Sequence, residues 1–221
     1  MKLKKLSGVV LVMLLLTGCG SEVQRLRRNL SVPKPEVRAY AARRLGELRD
    51  RNSVPQLINL LKDSVPVVVF EAARALGKIR DKSALAPLKE LALNSASLDL
   101  AVVATRAIID FGPSGLGLLI ELLDSPRAPV RLIACQGLGQ IGSNRAVEPL
   151  IHRLRDTDPG VRKAAMMALR QIGDPRGMEA IARMVSSPEQ ITEQGSEEAL
   201  SGGGYLQDWE RLRPVLRRLR P

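Results

Sequence analysis

The 221-residue chain is 45% hydrophobic but only 2% aromatic, and its 34 Lys+Arg against 23 Asp+Glu give a net charge of +11. That length is enough for one domain with a core. Five aromatic residues offer few stacking platforms for sugars or single-stranded nucleic acid, and the lone histidine has no Cys or Asp at ligand spacing, so neither a metal nor another cofactor is expected.

In chain order the first element is a leader. Lys2, Lys4 and Lys5 form a positive segment, Val9 to Leu16 is apolar, and Leu16-Thr17-Gly18-Cys19 closes it with small residues before a cysteine. This resembles a bacterial lipoprotein signal with its lipobox. The resemblance implies cleavage of residues 1–18, a diacylglycerol on the sulfur of Cys19 and an acylated amino group there. A membrane-spanning helix is disfavoured, because Leu6 to Gly18 falls short of the roughly 20 apolar residues a bilayer core requires. More than one acyl chain makes such an attachment stable. Gly20 after the cysteine, in place of Asp, points to the outer membrane and the periplasm where the envelope has two membranes. Without the three leader lysines the net charge is still +8. On an exported, anchored chain that charge points to anionic headgroups or acidic proteins rather than to nucleic acid. Cys135 is then the one other cysteine, so no internal disulfide is available.

Beyond the leader, apolar residues recur every 31 positions. Leu57, Leu88, Leu119, Leu150 and Ile181 form one row; Val54, Leu85, Leu116, Val147 and Met178 precede it by three residues, and Leu61, Ala92, Leu123, Leu154 and Val185 follow it by four. Positions i, i+3 and i+7 make one face of an amphipathic helix. A first helix precedes each of these: Val37, Val68, Leu100, Val130 and Val161 begin it, Ala41, Ala72, Ala104, Ala134 and Ala165 continue its inner face, and Leu45, Leu76, Ile108, Leu138 and Leu169 follow. Leu48, Ile79, Phe111, Ile141 and Ile172 complete that face. The third unit needs one inserted residue, and it is where the pattern bends. Small alanines allow close helix approach. The expectation is an all-α solenoid of stacked antiparallel helix pairs, about five repeats with capping helices, over residues 19–185.

Ile79-Arg80-Asp81, Ile141-Gly142-Ser143 and Ile172-Gly173-Asp174 end first helices with a turn and a cap. Asp158-Pro159-Gly160-Val161-Arg162-Lys163-Ala164-Ala165, followed by Ala168-Leu169, is similar to the consensus of short bacterial HEAT repeats of the phycobilisome-lyase type. The match is good over Pro35 to Asp63 and Pro129 to Asp156 and weak in the third unit. Tetratricopeptide and ankyrin signatures are absent. Extending the period backward makes Glu22 to Leu30 a lone second helix beside the lipid, with Arg25, Arg27 and Arg28 able to face anionic headgroups or simply solvent. Extending it forward reaches Trp209, Leu212, Val215 and Leu216, so residues 186–221 are a degenerate sixth repeat or an acidic linker with a basic helix.

Two rows are candidate binding sites. Arg28, Asn59, Glu90, Glu121, His152 and Arg183 are polar in every second helix, opposite the packed face, a surface that is concave in HEAT-like stacks. Acids in the middle and bases at the ends suit a basic segment or a mixed-charge helix. Phe70, Val102 and Leu132, flanked by Val69, Val103 and Ile133, are expected to point outward from three adjacent first helices as an apolar interface. Catalysis finds no nucleophile with a partnered base: Cys135 aligns with Ala42 and Ala73, and Gly137-Leu138-Gly139 lies inside a helix, so it is no phosphate loop. The leading reading is a membrane-anchored, non-enzymatic scaffold for an envelope protein, with no small-molecule substrate. A lyase-type or chaperone-like subunit, as the resemblance implies, and a nucleic-acid-binding HEAT protein are the alternatives.

Overall fold

A computed structural model describes residues 22–186. Residues 1–21 and 187–221, with Cys19 and the tail helix expected around Trp209, lie outside them. The described residues form helices and turns without a strand: α1 (22–29), α2 (Pro35–Glu47), α3 (Val54–Leu60), α4 (Pro66–Ile79), α5 (Leu85–Asn94), α6 (Leu98–Asp110), α7 (Leu116–Leu122), α8 (Ala128–Ile141), α9 (Val147–Arg153), α10 (Pro159–Ile172) and α11 (Pro175–Ser186). The even-numbered helices are the first helices of five units, and the odd-numbered ones from α3 are the second helices.

Local chemistry sets the boundaries. Pro35, Pro66 and Pro159 open α2, α4 and α10, where the missing N–H costs nothing. Asp158 caps α10 by accepting from the Val161 N–H at 3.0 Å. Gly142 and Gly173 end α8 and α10 with φ of 70° and 73°, the left-handed turn that glycine tolerates. In the first two units arginine stands at this place: Arg49 and Arg80 have φ of 51° and 60°, a conformation that costs an L-residue about 1 kcal/mol. The third unit takes its extra residue in the loop before α6. There α5 runs 10 residues against 7 in α3, α7 and α9, and Ser97 caps α6 through the Leu100 N–H at 3.4 Å.

The first helices form one layer, α2 on α4 on α6 on α8 on α10, and each second helix packs on the first helix of the next unit: α3 on α4, α5 on α6, α7 on α8, α9 on α10. Leu57, Leu88, Leu119 and Leu150 are fully buried between the layers, as are all five alanines of the first-helix row and Leu45, Leu76, Ile108, Leu138 and Leu169. Each fully buried leucine stabilises the stack by about 1.5–3 kcal/mol. Two members of the expected apolar rows are instead exposed, Leu48 and Met178, both at ends of the described array.

Glycines make the first-helix layer tight. A Cβ on Gly46 would stand 2.5 Å from the Ala75 Cα, one on Gly77 3.0 Å from the Ala107 Cα, and one on Gly139 2.9 Å from the Ala168 Cα. At the α6–α8 junction the sizes are exchanged. Ile109 occupies the glycine position and Gly137 the alanine position, and a Cβ on Gly137 would lie 2.7 Å from Ile109 Cδ1. Gly137 and Gly139, two residues apart in α8, thus serve contacts with opposite neighbours.

Candidate protein-binding surfaces

The second helices run with their apolar positions toward the first-helix layer, which leaves the opposite row in solvent. Arg28, Asn59, Glu90, Glu121, His152 and Arg183 are all exposed. Glu121 accepts an ion-paired hydrogen bond from Lys89 of the preceding unit, and Arg183 pairs with Glu179 at 2.5 Å. Between α9 and α11 the row borders an open groove of about 450 Å³ lined by Ile151, His152, Arg155, Ala180, Arg183 and Met184. Its walls carry bases over an apolar floor, so it suits an amphipathic segment better than a small polar molecule.

The second expected surface is corrected by the packing. Phe70, Val102 and Leu132 are half-buried, and their neighbours Val69, Val103 and Ile133 are buried. Phe70 and Leu132 pack against the core, a Cβ on Gly160 of the following α10 would meet Leu132 Cδ1 at 3.1 Å, and Ala39 at the same register is 4% exposed. Lys163, at the same register in the last described unit, is exposed. Phe70 therefore contributes to packing, and Phe70→Asp would cost stability before it touched any partner.

The outward row of the first helices lies four residues further on: Arg43, Arg74, Arg106, Gln136 and Met167, of which all but the half-buried Arg43 are exposed. The repeat register of 31 or 32 contains this arginine run in the first three units, one helical turn beyond the apolar row. Arg43 sits 5.6 Å from the Tyr40 ring centre and Arg74 5.7 Å from that of Phe70. Beneath them Glu71 is 4% exposed, with Arg74 at 3.7 Å and its Oε2 accepting no hydrogen bond. Burial pushes the Glu71 carboxyl above the usual carboxylate range, with Arg74 and Arg43 opposing it.

Arginine clasps hold the loops between units. Arg38 donates to both carboxylate oxygens of Asp63 at 2.8 and 2.9 Å and to the carbonyls of Val32 and Pro33, so it ties the loop before its unit to the loop after it. Arg131 repeats this with Asp156 at 2.8 and 2.6 Å and the Ser125 carbonyl at 2.9 Å. Units two and three carry Val69 with Asn94 and Ala101 with Ser125 at these positions. Hydrogen bonding by Arg38 holds Asp63 below the usual carboxylate range; burial alone would raise Asp156, but Arg131 and the Asp158 N–H bring it below as well. Arg27, one of the arginines considered for headgroups, is committed in the same way to Asp50 at 2.7 and 2.5 Å, while Arg25 and Arg28 are exposed.

Cys135 is buried at a small-residue position beside Ala134, and burial pushes its thiol up to about 12, which leaves it without thiolate character near neutrality. Among the described residues no group of three or more His, Cys, Asp or Glu is placed to hold a metal ion, and no helix is long and apolar enough to cross a membrane.

A family model for HEAT repeats matches residues 23–109 and 116–201. No curated protein matches the chain. Among solved structures, the CpcE–CpcF complex of phycocyanin lyase from Nostoc sp. PCC7120 is similar with a TM-score of 0.56 and 24% identity over 75% of this chain and 71% of that one. A designed armadillo repeat protein in complex with a (KR)4 peptide gives 0.51 and 20% over 83% and 100%. An engineered protein gives 0.50 and 24% over 81% and 95%. At these identities the likeness is one of fold: a stack of helix pairs.

Proposed function

The chain belongs to the HEAT-repeat family, and on that premise we propose that it is a non-enzymatic scaffold, attached to the bacterial cell envelope through lipid on Cys19, that holds another envelope protein on its second helices. The observation that carries this reading is the unbroken exposure of Arg28, Asn59, Glu90, Glu121, His152 and Arg183 across six consecutive second helices. A row repeated at each unit matches an extended or helical segment laid along the stack, and the acids at its centre favour a segment with basic residues there. A designed protein of this fold class holds a peptide of alternating Lys and Arg, a ligand of the kind the central acids would attract. The lipobox-like Leu16-Thr17-Gly18-Cys19 supports the anchor, and the buried, high-pKa Cys135 supports a packing role for the remaining cysteine.

The test has two arms. Membrane fractionation of wild type and Cys19→Ser checks the anchor: wild type belongs with membranes and Cys19→Ser is released from acylation, whereas a soluble wild type would sink the anchored reading. Crosslinking in the protein's own cells then compares wild type with Glu90→Lys/Glu121→Lys. Capture of the envelope partner should fall about tenfold, the 1.4 kcal/mol scale of lost charge complementarity, with unchanged helix content. Undiminished capture would remove the second-helix row from the interface.

A further inference from the structure

Two bands run side by side across the outer faces of the first three first helices. One is partly apolar: Tyr40 is 44% exposed, and Phe70 and Val102 are half-buried. One turn on stand Arg43, Arg74 and Arg106, where units four and five have Gln136 and Met167. Tyr40 and Phe70 are two of the three aromatic residues in the described range, and each lies against an arginine of the second band. Aromatic rings beside arginines are the composition of interface hot spots.

The remaining charges of α2, α4 and α6 lie elsewhere. Arg38 is bonded to Asp63, and Arg44 pairs with Glu47 at 2.6 Å. Glu36 and Asp99 stand in first turns, at the margin of the inter-unit loops, while Lys78 and Asp110 stand in last turns, at the opposite margin. Glu71 is buried beneath the bands, with Arg74 at 3.7 Å and its Oε2 accepting no hydrogen bond. Apart from Arg38 these helices hold five bases and five acids, so what sets this face apart is arrangement and not net charge. Bases occupy its middle, and acids lie below it or at its two margins.

We propose that the outer face of α2, α4 and α6 is a second docking surface, and that its occupant is an acidic amphipathic helix of a partner protein. That helix lies across the three first helices, with apolar residues on Tyr40, Phe70 and Val102 and carboxylates on Arg43, Arg74 and Arg106. The face is separate from the second-helix row, so the scaffold holds one protein on each side of the stack. The arrangement selects the occupant: a membrane or a nucleic acid presents phosphates across the whole face and meets the marginal acids, whereas one line of carboxylates meets the arginines alone. Packed helices stand about 8–10 Å apart, close to the roughly 10.5 Å of seven residues of α-helix. The partner therefore needs one apolar residue and, four residues on, one acid in each heptad. Glu71 limits the strength of the contact, because its buried carboxylate already shares Arg74 with the incoming acids.

The experiment titrates full-length protein, purified in detergent, into a fluorescein-labelled peptide of three heptads and reads anisotropy. Each heptad carries Leu and, four residues on, Glu, on a background of Ala and Gln. The expected result is saturable binding that weakens about tenfold in Arg43→Gln/Arg74→Gln/Arg106→Gln, and about as much when the peptide's Glu are replaced by Gln. Arg51→Gln/Lys82→Gln/Arg145→Gln, which removes as much charge from exposed sites off this face, should change binding by less than about twofold. Glu71→Gln should tighten it about threefold and Arg106→Gln alone weaken it about threefold; circular dichroism shows that each variant is folded. No binding, equal binding of the Gln peptide, or binding that survives loss of the three arginines overturns the proposal. Tighter capture of a phosphatidylglycerol vesicle or a single-stranded oligonucleotide, lost with the same arginines, overturns the protein occupant. Self-association of the free chain that the triple variant abolishes puts a second copy on the face and overturns it too.

Discussion

At three junctions of the first-helix layer a glycine of the earlier helix meets an alanine of the later one: Gly46 with Ala75, Gly77 with Ala107, Gly139 with Ala168. At the remaining junction, α6 with α8, the pair is Ile109 with Gly137. What the junctions share is the total volume between the helices, not the residue at either side. A large side chain is admitted in the third unit because the fourth gives up its Cβ, which is how a close-packed interior absorbs an irregular repeat. The bend in the third unit is therefore accommodated by packing at the α6–α8 junction.

The largest effect expected from breaking this arrangement is at a glycine that meets backbone. Gly46→Ala gains about 1 kcal/mol of helix propensity, yet its new Cβ would face the Ala75 Cα and Cβ at 2.5 and 2.7 Å, neither of which can rotate away. Overpacking of this kind costs about 3 kcal/mol, so a net loss of about 2 kcal/mol is expected in a urea melt. The exchanged junction sharpens the comparison through a double-mutant cycle. Ile109→Gly and Gly137→Ala each destabilise alone, but together they rebuild the Gly–Ala pair of the other junctions, with a favourable coupling of at least about 1 kcal/mol. Additive losses would mean that volume is not what the two sites share.

Comparable in size, and set by charge, is the clasp of the fourth unit, absent from the second and third. Arg131 and Asp156 are both largely buried, with side chains 10% and 3% exposed, so Arg131→Ala strands a carboxylate and should cost about 2 kcal/mol. The folded-state values of Asp50, Asp63 and Asp156 all lie below the ordinary carboxylate value. Their stabilisation is thus fully present above about pH 4 and is lost as pH falls through the lowered folded values. Urea midpoints measured from neutrality downward should show an acid-induced loss in wild type that is smaller in Asp156→Asn. An equal loss in both would remove Asp156 from the acid response.

The difference between junctions also explains what could be read without coordinates. Leu57, Leu88, Leu119 and Leu150, and the alanine row from Ala41 to Ala165, were legible because burial within a helix pair follows the helical period alone. Phe70, Val102 and Leu132 are half-buried where an exposed row was expected, because the flank of a first helix can also pack on the next unit, as Leu132 does beside Gly160. That flank has no period of its own to mark it, and its exposure depends on whether a neighbour follows. The same ambiguity hid Arg43, Arg74 and Arg106, which lie one turn beyond the row taken to face outward. The exposed second-helix row from Arg28 to Arg183 was legible because no further layer covers it.

The smallest effect expected is a gain. Glu71 stands in α4 where α6 and α8 have the buried Val103 and Ile133, so the α2–α4 junction holds a carboxylate at a position that is apolar at the next two. Its raised folded value makes the cost of ionising it present above that value, and the cost vanishes as pH falls below the ordinary value of about 4.3, where both folded and unfolded forms are protonated. Glu71→Leu should accordingly stabilise by about 1 kcal/mol at neutral pH, with the advantage narrowing in acid, while Glu71→Gln recovers part of it with little change in shape. A loss of stability that is present at neutral pH and fades in acid would show instead that the carboxylate's attraction for Arg43 and Arg74 outweighs its burial. In that case the arginine row over α2 and α4 would be supported from beneath by Glu71, and the first junction would differ from the others by design of charge rather than of volume.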